Sequence, residues 1–356
     1  MLRYIIIRFI WIFIVLFTFL SILFVTIRLV PEYPPTDKDQ KEIYYEKLRA
    51  DGYYYTEVIK DPAEVARIRR GQHDPCKKCY YKDETNQYRV YKPVPIASQY
   101  VRWVKNVLGH WNWGVSTRVQ PNRGVFELAK ERLPHTLKLN LIALFIYIPI
   151  GFTFGIIAAL KKDKLVDNII SLGVMIFISI PNFVLLFILI LVFAYGFKWL
   201  PTNWLSSDIK GIGQYTQLIL PVLALSFGEI AYLTRLTRAE LTEVLTSEFL
   251  LLARTKGLTR RQAVVRHALR NSLVPLVPSI IFSFVALVSG SMVIERVYSI
   301  PGMGSLYFQA LTLGNMDYNV ILALSAFYTS ISLFAVLLVD LSYGLVDPRI
   351  RMGARK

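Results

Sequence analysis

Six long apolar segments, each delimited by charged residues, constrain most strongly how this 356-residue chain can fold. A helix needs about 20 residues to cross about 30 Å of hydrocarbon, and each segment is of that order or longer. A hydrophobic content of 54% and a mean hydropathy of +0.41 exceed those of ordinary soluble proteins. We therefore predict an all-α integral membrane protein with six transmembrane helices, near Phe9–Ile27, Leu139–Leu160, Asn168–Phe197, Gly211–Thr234, Asn271–Ile294 and Tyr318–Val339.

The apolar segments divide the chain into four regions. Residues 1–30 hold the first transmembrane helix, and residues 31–134 form a large polar segment outside the cytoplasm, within which residues 35–93 resemble an insertion. Residues 135–346 form a five-helix core that includes a basic loop at residues 235–270, and residues 347–356 form a short tail. Two prolines, Pro149 and Pro181, are expected to kink the second and third transmembrane helices because proline removes a helical hydrogen bond.

The distribution of basic residues predicts the orientation. Seventeen lysines and arginines lie in the termini and short loops on one side, whereas the short loops on the other side hold only Lys198, Lys210 and Arg296. Short cytoplasmic loops carry the excess of positive charge, so both termini are expected in the cytoplasm of a multi-pass cell-membrane protein in contact with lipid. This clustering beside apolar segments also explains the net charge of +16 without a nucleic-acid partner.

The sequence offers no pattern for catalysis. A nucleotide-hydrolysing protein needs a glycine-rich phosphate loop ending in Lys-Ser or Lys-Thr, and no Gly-x-x-x-x-Gly-Lys-Ser/Thr occurs. The Gly-x-Ser-x-Gly and His-Glu-x-x-His patterns of hydrolases are absent as well. We therefore predict a chain that is not an enzyme and binds no cofactor itself.

The loop between the fourth and fifth apolar segments is basic and amphipathic. Leucines, valines and an alanine supply apolar faces over residues 251–275, arginines and lysines keep the segment out of the hydrocarbon, and Gly257 interrupts the pattern. This arrangement predicts two short helices joined at Gly257 in a cytoplasmic docking element. A surface helix lying on anionic lipid is the alternative.

The amino-acid sequence of this loop resembles that of a known protein family. The run Ala253-Arg254-Thr-Lys256-Gly257-Leu258, followed by Arg266-His-Ala-Leu-Arg-Asn, is similar to the ATPase-docking loop in permease subunits of ATP-binding-cassette importers, in particular the oligopeptide and dipeptide branch. The resemblance implies the type I importer permease fold. It also implies contacts with the ATPase from Ala253, Arg254, Lys256, Gly257, Leu258 and Arg266.

Further motifs extend the resemblance over roughly residues 100–352. Arg132-Leu-Pro134-His-Thr136-Leu resembles the start of the family's second helix, and Asp347-Pro348-Arg-Ile-Arg351 resembles its closing signature. The family's turn after the fifth helix resembles the run from Glu295 to Gly304. From the residues alone, a proline and two glycines in that run permit a tight or re-entrant turn, a candidate outer gate, at Pro301, Gly302 and Gly304.

The resemblance implies a B-type permease of an oligopeptide importer. Its implied partners are a homologous C-type permease, two ABC ATPase subunits that bind ATP and Mg, and an extracellular lipid-anchored peptide-binding protein. Dipeptides, nickel chelates and glutathione are alternative substrates of the same machinery. A secondary carrier or a non-transporting membrane receptor is the alternative of another class; a carrier would need coupling-ion groups and internal repeats, and neither is evident.

Two acidic residues fall within or near apolar segments and are expected to face protein or water. Glu229 interrupts the fourth segment, and Asp340 lies near the end of the sixth. Both are expected to be hydrated near the cytoplasmic interface or paired with Arg235 or Arg238; a proton relay is the alternative. Their contact with substrate stays open.

The only cysteines, Cys76 and Cys79, lie in the outer segment in the run His73-Asp-Pro-Cys76-Lys-Lys-Cys79. An oxidising exterior favours a disulfide between them. The spacing also fits a metal site with His73, Cys76 and Cys79, although no fourth ligand is apparent. Thioredoxin-like redox chemistry lacks its surrounding strand and helix pattern.

Overall fold

The computed structural model describes residues 2–30, 34–72, 76, 79–85, 87–205, 211–314 and 316–346, so the predicted tail at 347–356 lies outside the described residues. Three strands occur in these ranges, β1 Tyr54–Ile59, β2 Tyr80–Glu84 and β3 Gln87–Pro93. The α-helices are α1 Leu2–Leu29, α2 Lys38–Ala50, α3 Pro62–Arg69, α4 Ile96–His110, α5 Val125–Leu160, α6 Leu165–Ser179, α7 Asn182–Leu189, α8 Gly213–Thr216, α9 Ile219–Leu245, α10 Glu248–Thr255, α11 Arg260–Ala263, α12 Leu269–Leu273, α13 Val277–Ser289, α14 Met292–Val297, α15 Met303–Leu311 and α16 Tyr318–Val346.

The chain forms two compact units. The first contains the described parts of Met1–Phe13, Ala129–Phe308 and Phe327–Lys356, and the second contains those of Ile14–Leu128 and Gln309–Ala326. In the first unit, apolar side chains of α5, α7 and α9 build the main core; its fully buried members include Leu139, Leu186 and Leu220.

The helical membrane architecture is confirmed. Among the described residues, five helical stretches are long and apolar enough to cross a membrane: Ile5–Leu29, Val125–Leu160, Ile219–Leu245, Arg260–Val297 and Tyr318–Ser342. A sixth span results if Leu165–Ser179 and Asn182–Gly196 are counted as one, since this bent pair passes the same test together. The fourth span continues to Leu245, well beyond its predicted end at Thr234.

Pro181 breaks the third span instead of kinking it. The two halves meet at an angle of 100°. Ile180, which precedes the proline, is extended at φ −93° and ψ 118°, because the proline ring disfavours helical geometry at the residue before it. The predicted kink at Pro181 is therefore a complete break, although the residues on both sides of it are helical.

The second span begins earlier than the sequence indicates. Helix α5 starts at Val125 and continues through both Pro134 and Pro149. The predicted region boundary after residue 134 therefore falls inside one helix, and the two compact units meet in sequence at Leu128 and Ala129. Prolines are tolerated within membrane helices because neighbouring groups can satisfy the freed carbonyls.

The second unit adds a small sheet to the mainly helical fold. Its strands are antiparallel in the order β1-β3-β2, with Tyr54 opposite Pro93 and Tyr80 opposite Tyr91. Successive side chains of β3 point to opposite faces, so Tyr91 packs with Tyr45 of α2, whereas Val90 packs with Val65 of α3. The sheet is thus covered by one helix on each face.

Asp317 anchors the loop after α4 that contains Gly114 and Ser116. Its fully buried carboxylate accepts hydrogen bonds at Oδ2 from Ser116 Oγ (2.6 Å) and from the backbone amides of Thr117 (2.9 Å), Arg118 (2.9 Å) and Val119 (3.2 Å). Since Asp317 also precedes α16, one side chain joins two segments of the second unit that are about 200 residues apart.

An ion pair joins α6 to α9 in the first unit. Arg238 donates to Asp167 from Nε at 2.6 Å and from Nη2 at 2.7 Å, and the Asp167 side chain is 1% exposed. Asp167 also accepts from the backbone amide of Asp163 at 2.9 Å. A bidentate geometry with an additional donor is what a buried carboxylate needs to offset its loss of hydration.

Replacing Asp167 by asparagine is expected to destabilise the first unit. The substitution leaves the Arg238 guanidinium without its carboxylate, and the free energy of unfolding should fall by about 2–4 kcal/mol, near the lower part of the range for buried pairs because Arg238 is partly exposed. Thermal unfolding of the purified membrane protein measures the change. Asp163→Asn, at an exposed position with φ 61° that asparagine tolerates, is the control and should leave the unfolding temperature nearly unchanged. Equal unfolding temperatures for the two variants would contradict the assignment.

Candidate functional site

The loop between α9 and α13 forms a compact helical element, here called the loop element, spanning residues 248–268. Helix α10 ends at Thr255, the chain turns at Gly257 with φ +91°, and α11 begins at Arg260. The turn before α11 is closed by a capping box in which Thr259 Oγ1 accepts from the Gln262 amide and Gln262 Oε1 accepts from the Thr259 amide. The predicted pair of short helices joined at Gly257 is present.

Position 257 requires glycine because of its backbone conformation, and not because neighbouring atoms would clash with a side chain. No other atom lies within 4 Å of the place where a Cβ would stand. Its positive φ is nevertheless a conformation that side chains with a Cβ adopt only at a cost of about 1–2 kcal/mol. Gly257 therefore sets the direction in which the chain runs from α10 to α11.

The loop element has an inner and an outer face. Its inner face packs Leu250, Ala263 and Ala268 on Leu241 of α9 and Ala159 of α5. Ala253 is also buried, at 8% exposure, so its side chain faces the interior of this unit. Leu258 is half-buried, and the predicted docking residues on the outer face are Arg254, Lys256, Gly257 and Arg266.

Three large apolar side chains on α10 were not among the predicted docking residues. Phe249, Leu251 and Leu252 are exposed by 46%, 62% and 56% and form, with the neighbouring Arg254 and Lys256, what we call the apolar patch of α10. The two consecutive leucines before Ala253 could have indicated this exposed patch from the sequence. Adjacent residues of a helix point in different directions, so a narrow buried face cannot cover both. An apolar helix face bordered by arginine and lysine is suited to insertion in a groove of a partner protein.

A polar cavity lies within the first unit, between α5, α7, α9 and α13. Its volume is about 410 Å³. Amides, hydroxyls and one carboxylate line it together with apolar side chains such as those of Leu225, Phe282 and Leu287; the polar groups include Asn140, Tyr147, Asn182, Glu229, Tyr232 and Ser283. A cavity of this size among membrane-crossing helices, with several hydrogen-bonding groups, can hold a small polar molecule.

The two intramembrane acids have different surroundings. Arg8 Nη2 lies 3.0 Å from Asp340 Oδ2, so Asp340 pairs with the first helix and not with Arg235 or Arg238. Glu229 does not pair with Arg238, which is engaged by Asp167, and its hydration stays a prediction. Arg235 follows Glu229 by six residues on α9, which places it about 9 Å further along the helix and about 240° around it.

The turn predicted as an outer gate is a closely packed cradle around a buried carboxylate. Glu295 is fully buried, and it accepts from Thr136 Oγ1 at 2.8 Å and from the Ser305 amide at 2.9 Å. Thr136 Oγ1 in turn accepts from the Met303 amide at 2.8 Å. Glu295 thus holds the first turn of α15 against α5, a role that its place before Pro301 did not reveal.

The glycines of this turn are needed for space. A Cβ at Gly302 would stand 2.5 Å from Glu295 Cδ and 2.6 Å from Thr136 Oγ1. A Cβ at Gly304 would stand 2.8 Å from the Cα of Met292. Whether the turn gates a pathway stays a prediction, but its glycines allow the backbone to approach Glu295 and α14.

Cys76 and Cys79 are joined by a disulfide. His73, the third residue of the candidate metal site, lies outside the described residues. Within the described part of the chain, no group of three or more histidine, cysteine, aspartate or glutamate side chains is arranged to hold a metal ion.

Comparison with known proteins identifies similar chains. The family described as binding-protein-dependent transport system inner membrane component matches residues 151–352. The dipeptide transport system permease protein of Bacillus subtilis (strain 168) is 34% identical over 258 residues, covering 72% of this chain and 80% of that protein. The oligopeptide transport system permease protein of Escherichia coli (strain K12) is 35% identical over 258 residues, covering 72% and 81%.

A similar solved structure is described as inward facing conformations of the MetNI methionine ABC transporter. Its sequence identity to this chain is 20% and the TM-score is 0.46, over 61% of this chain and 96% of that one.

The Glu295 cradle should not tolerate a methyl group at Gly304. Gly304→Ala would force the backbone of α14 or α15 to move, and overpacking of this kind costs about 1–3 kcal/mol. The unfolding temperature and the amount of protein in the membrane should both fall. Gly173→Ala, in the middle of α6 with no atom within 4 Å of the added carbon, is the control and should be neutral or slightly stabilising. A Gly304→Ala protein as stable as the control would show that the cradle is not closely packed.

Proposed function

Because this chain belongs to the family of binding-protein-dependent transport system inner membrane components, and is a permease subunit of an importer, we propose that it forms one half of a peptide pore in the cell membrane. The other half is a homologous permease of the C type. Two ABC ATPase subunits, which bind ATP and Mg, drive the cycle, and an extracellular lipid-anchored binding protein delivers the peptide.

The observation that carries this proposal is the polar cavity among helices of the first unit. A peptide presents amide donors and acceptors at every residue, and the cavity offers amide and hydroxyl groups to match them, for example Asn140, Asn182 and Tyr147. The names of the relatives, a dipeptide permease and an oligopeptide permease, support peptides as the substrate class. Nickel chelates and glutathione are the alternative substrates that the polar lining also accommodates.

We place both termini and the loop element in the cytoplasm, with the outer segment on the other side. The excess of basic residues in one set of short loops supports this orientation. The cytoplasm is also where an ATPase would meet the loop element. The exposed apolar patch of α10 then serves as the surface that enters a groove of the ATPase, with Arg254 and Lys256 at its border.

Helix α9 offers a direct mechanical connection between this surface and the cavity. The loop element packs on the last turns of α9 through Leu250 and Leu241, and the same 27-residue helix carries Glu229 into the cavity. The Asp167–Arg238 pair fixes α6 to α9 between these two points. A displacement of the loop element by the ATPase would therefore move α6 and α9 together, which is how rigid elements transmit a conformational change.

The docking proposal is tested by removing the apolar patch. The double variant Leu251→Ser and Leu252→Ser should lose co-purification with the ATPase subunits by tenfold or more, because burial of each leucine is worth about 1.5–3 kcal/mol. The amount of permease in the membrane should not change, since both side chains are exposed. Quantitative mass spectrometry of the purified complex, together with its ATP hydrolysis, gives the measurement.

Leu191→Ser provides the matched control. Leu191 is exposed by 62%, as Leu251 is, but it lies after α7 and away from the loop element. This control should retain the ATPases in full. If the double variant also retained them at the parental ratio, the apolar patch would not be the docking surface.

A further inference from the structure

We propose that Glu229 binds the ammonium group of the transported peptide inside the polar cavity. This inference rests on the proposed peptide transport and names the contact that recognises the substrate in the membrane. An ammonium group is present at the amino terminus of every unmodified peptide, whatever its side chains. A carboxylate in the pathway would therefore recognise peptides independently of their sequence.

The first argument is that Glu229 differs from three other carboxylates on helices of the first unit, Asp167, Glu295 and Asp340. Asp167 is paired with Arg238, Asp340 with Arg8, and Glu295 is enclosed by Thr136 and backbone amides. Among the described residues, Glu229 has neither an ion-pair nor a hydrogen-bonding partner, and its side chain is exposed where it lines the cavity. A carboxylate among membrane helices is costly unless a cation or donors compensate it.

The second argument is position. Glu229 lies on the side of α9 that lines the cavity, together with Tyr232 of the next turn. Gly228, the residue before it, brings α9 close to α7, because a Cβ at that position would stand 2.6 Å from Asn182 Oδ1. Asn182 lines the same cavity as Glu229.

The third argument concerns the chemistry of the lining. Besides Glu229 the polar groups of the cavity are neutral amides and hydroxyls, such as Asn140, Tyr147 and Ser283. No second carboxylate or histidine joins Glu229 there, and no metal-binding group of three such residues exists among the described residues. A single carboxylate surrounded by neutral hydrogen-bonding groups matches an ammonium group followed by peptide amides better than it matches a divalent metal ion.

The size of the cavity agrees with a short peptide segment. A volume of about 410 Å³ falls in the range of small-molecule pockets, about 300–1,000 Å³. The cavity can therefore hold the amino-terminal residues of a peptide while the remainder extends along the pathway between the two permeases.

The test uses the complete importer, with both permeases, the ATPases and the binding protein, in proteoliposomes. Uptake of trialanine, N-acetyl-trialanine and N-acetyl-alanyl-lysyl-alanine is measured at saturating binding protein. The ratio of variant to parental uptake is then compared for each peptide, so that the preference of the binding protein cancels. Glu229→Gln should reduce uptake of trialanine about tenfold or more, since the negative charge that pairs with the ammonium group is lost, and should leave N-acetyl-trialanine unchanged.

The third peptide identifies which ammonium group binds. Loss of uptake for N-acetyl-alanyl-lysyl-alanine would show that Glu229 also accepts a lysine side chain, whereas unchanged uptake would restrict it to the amino terminus. Glu243→Gln, an exposed carboxylate on the same helix but outside the cavity, is the control and should not change any of the three rates.

A charge-rescue experiment separates recognition from folding. In Glu229→Cys the two native cysteines do not interfere, because they are joined in a disulfide. Modification with a sulfonate-bearing thiosulfonate reagent should restore trialanine uptake at least partly, and the uncharged methyl reagent should not. Restoration by the charged reagent alone would show that the variant is folded and lacks only the negative charge.

The contrary results are distinguishable. If Glu229→Gln slows all three peptides equally, or slows none, and the sulfonate does not restore uptake, the ammonium site is refuted while peptide transport stands. If the parental importer takes up none of the peptides, the proposed function fails and the ammonium site fails with it.

Discussion

A carboxylate that leaves water must find a cation or several hydrogen-bond donors, and this requirement fixes the main tertiary connections of the chain. Asp167 holds α6 to α9 through Arg238, and Glu295 holds the start of α15 to α5 through Thr136. In the second unit Asp317 joins the loop after α4 to the start of α16. Each carboxylate connects segments that are far apart in sequence, so each specifies the arrangement of helices more sharply than apolar packing can.

Glu229, by contrast, is a carboxylate without such a compensating group. Its carboxylate faces a cavity and has no partner among the described residues. Groups that are left uncompensated in a membrane bundle commonly mark the pathway of a substrate, because the substrate supplies the missing charge. The loop element lies at the other end of α9, and a single rigid helix therefore relates the proposed ATPase contact to the proposed substrate contact.

The sequence was sufficient for the features that depend on local pattern. Apolar length predicted the spans, and Gly257 between two amphipathic stretches predicted the turn that the structure has at φ +91°. The sheet was not predicted, since the tyrosines of β1, β2 and β3 form a core only after α2 covers them. The start of α5 was misplaced because Pro134 was taken as a helix start.

The sequence could not predict which charged residues pair, and the reason is physical. Glu229 and Arg235 are neighbours in the sequence, yet helical geometry sends them to different sides of α9, whereas Asp167 and Arg238 meet across 71 residues. Likewise, Ala253 belongs to the motif of the loop, but helix periodicity turns it inward and turns Leu251 and Leu252 outward. Contacts between distant segments decide which charges pair and which side chains are buried.

The central claim is that peptides cross the membrane along the polar cavity of α5, α9 and α13. Photo-crosslinking tests it most directly: the complete importer is illuminated during turnover with a trialanine derivative that carries a benzophenone, and the labelled residues are located by mass spectrometry. We expect ATP-dependent labelling at cavity positions such as Tyr147, Tyr232 and Phe282. Labelling confined to the apolar groove of Phe154, Val174 and Phe227, between α5, α6 and α9, would contradict the account.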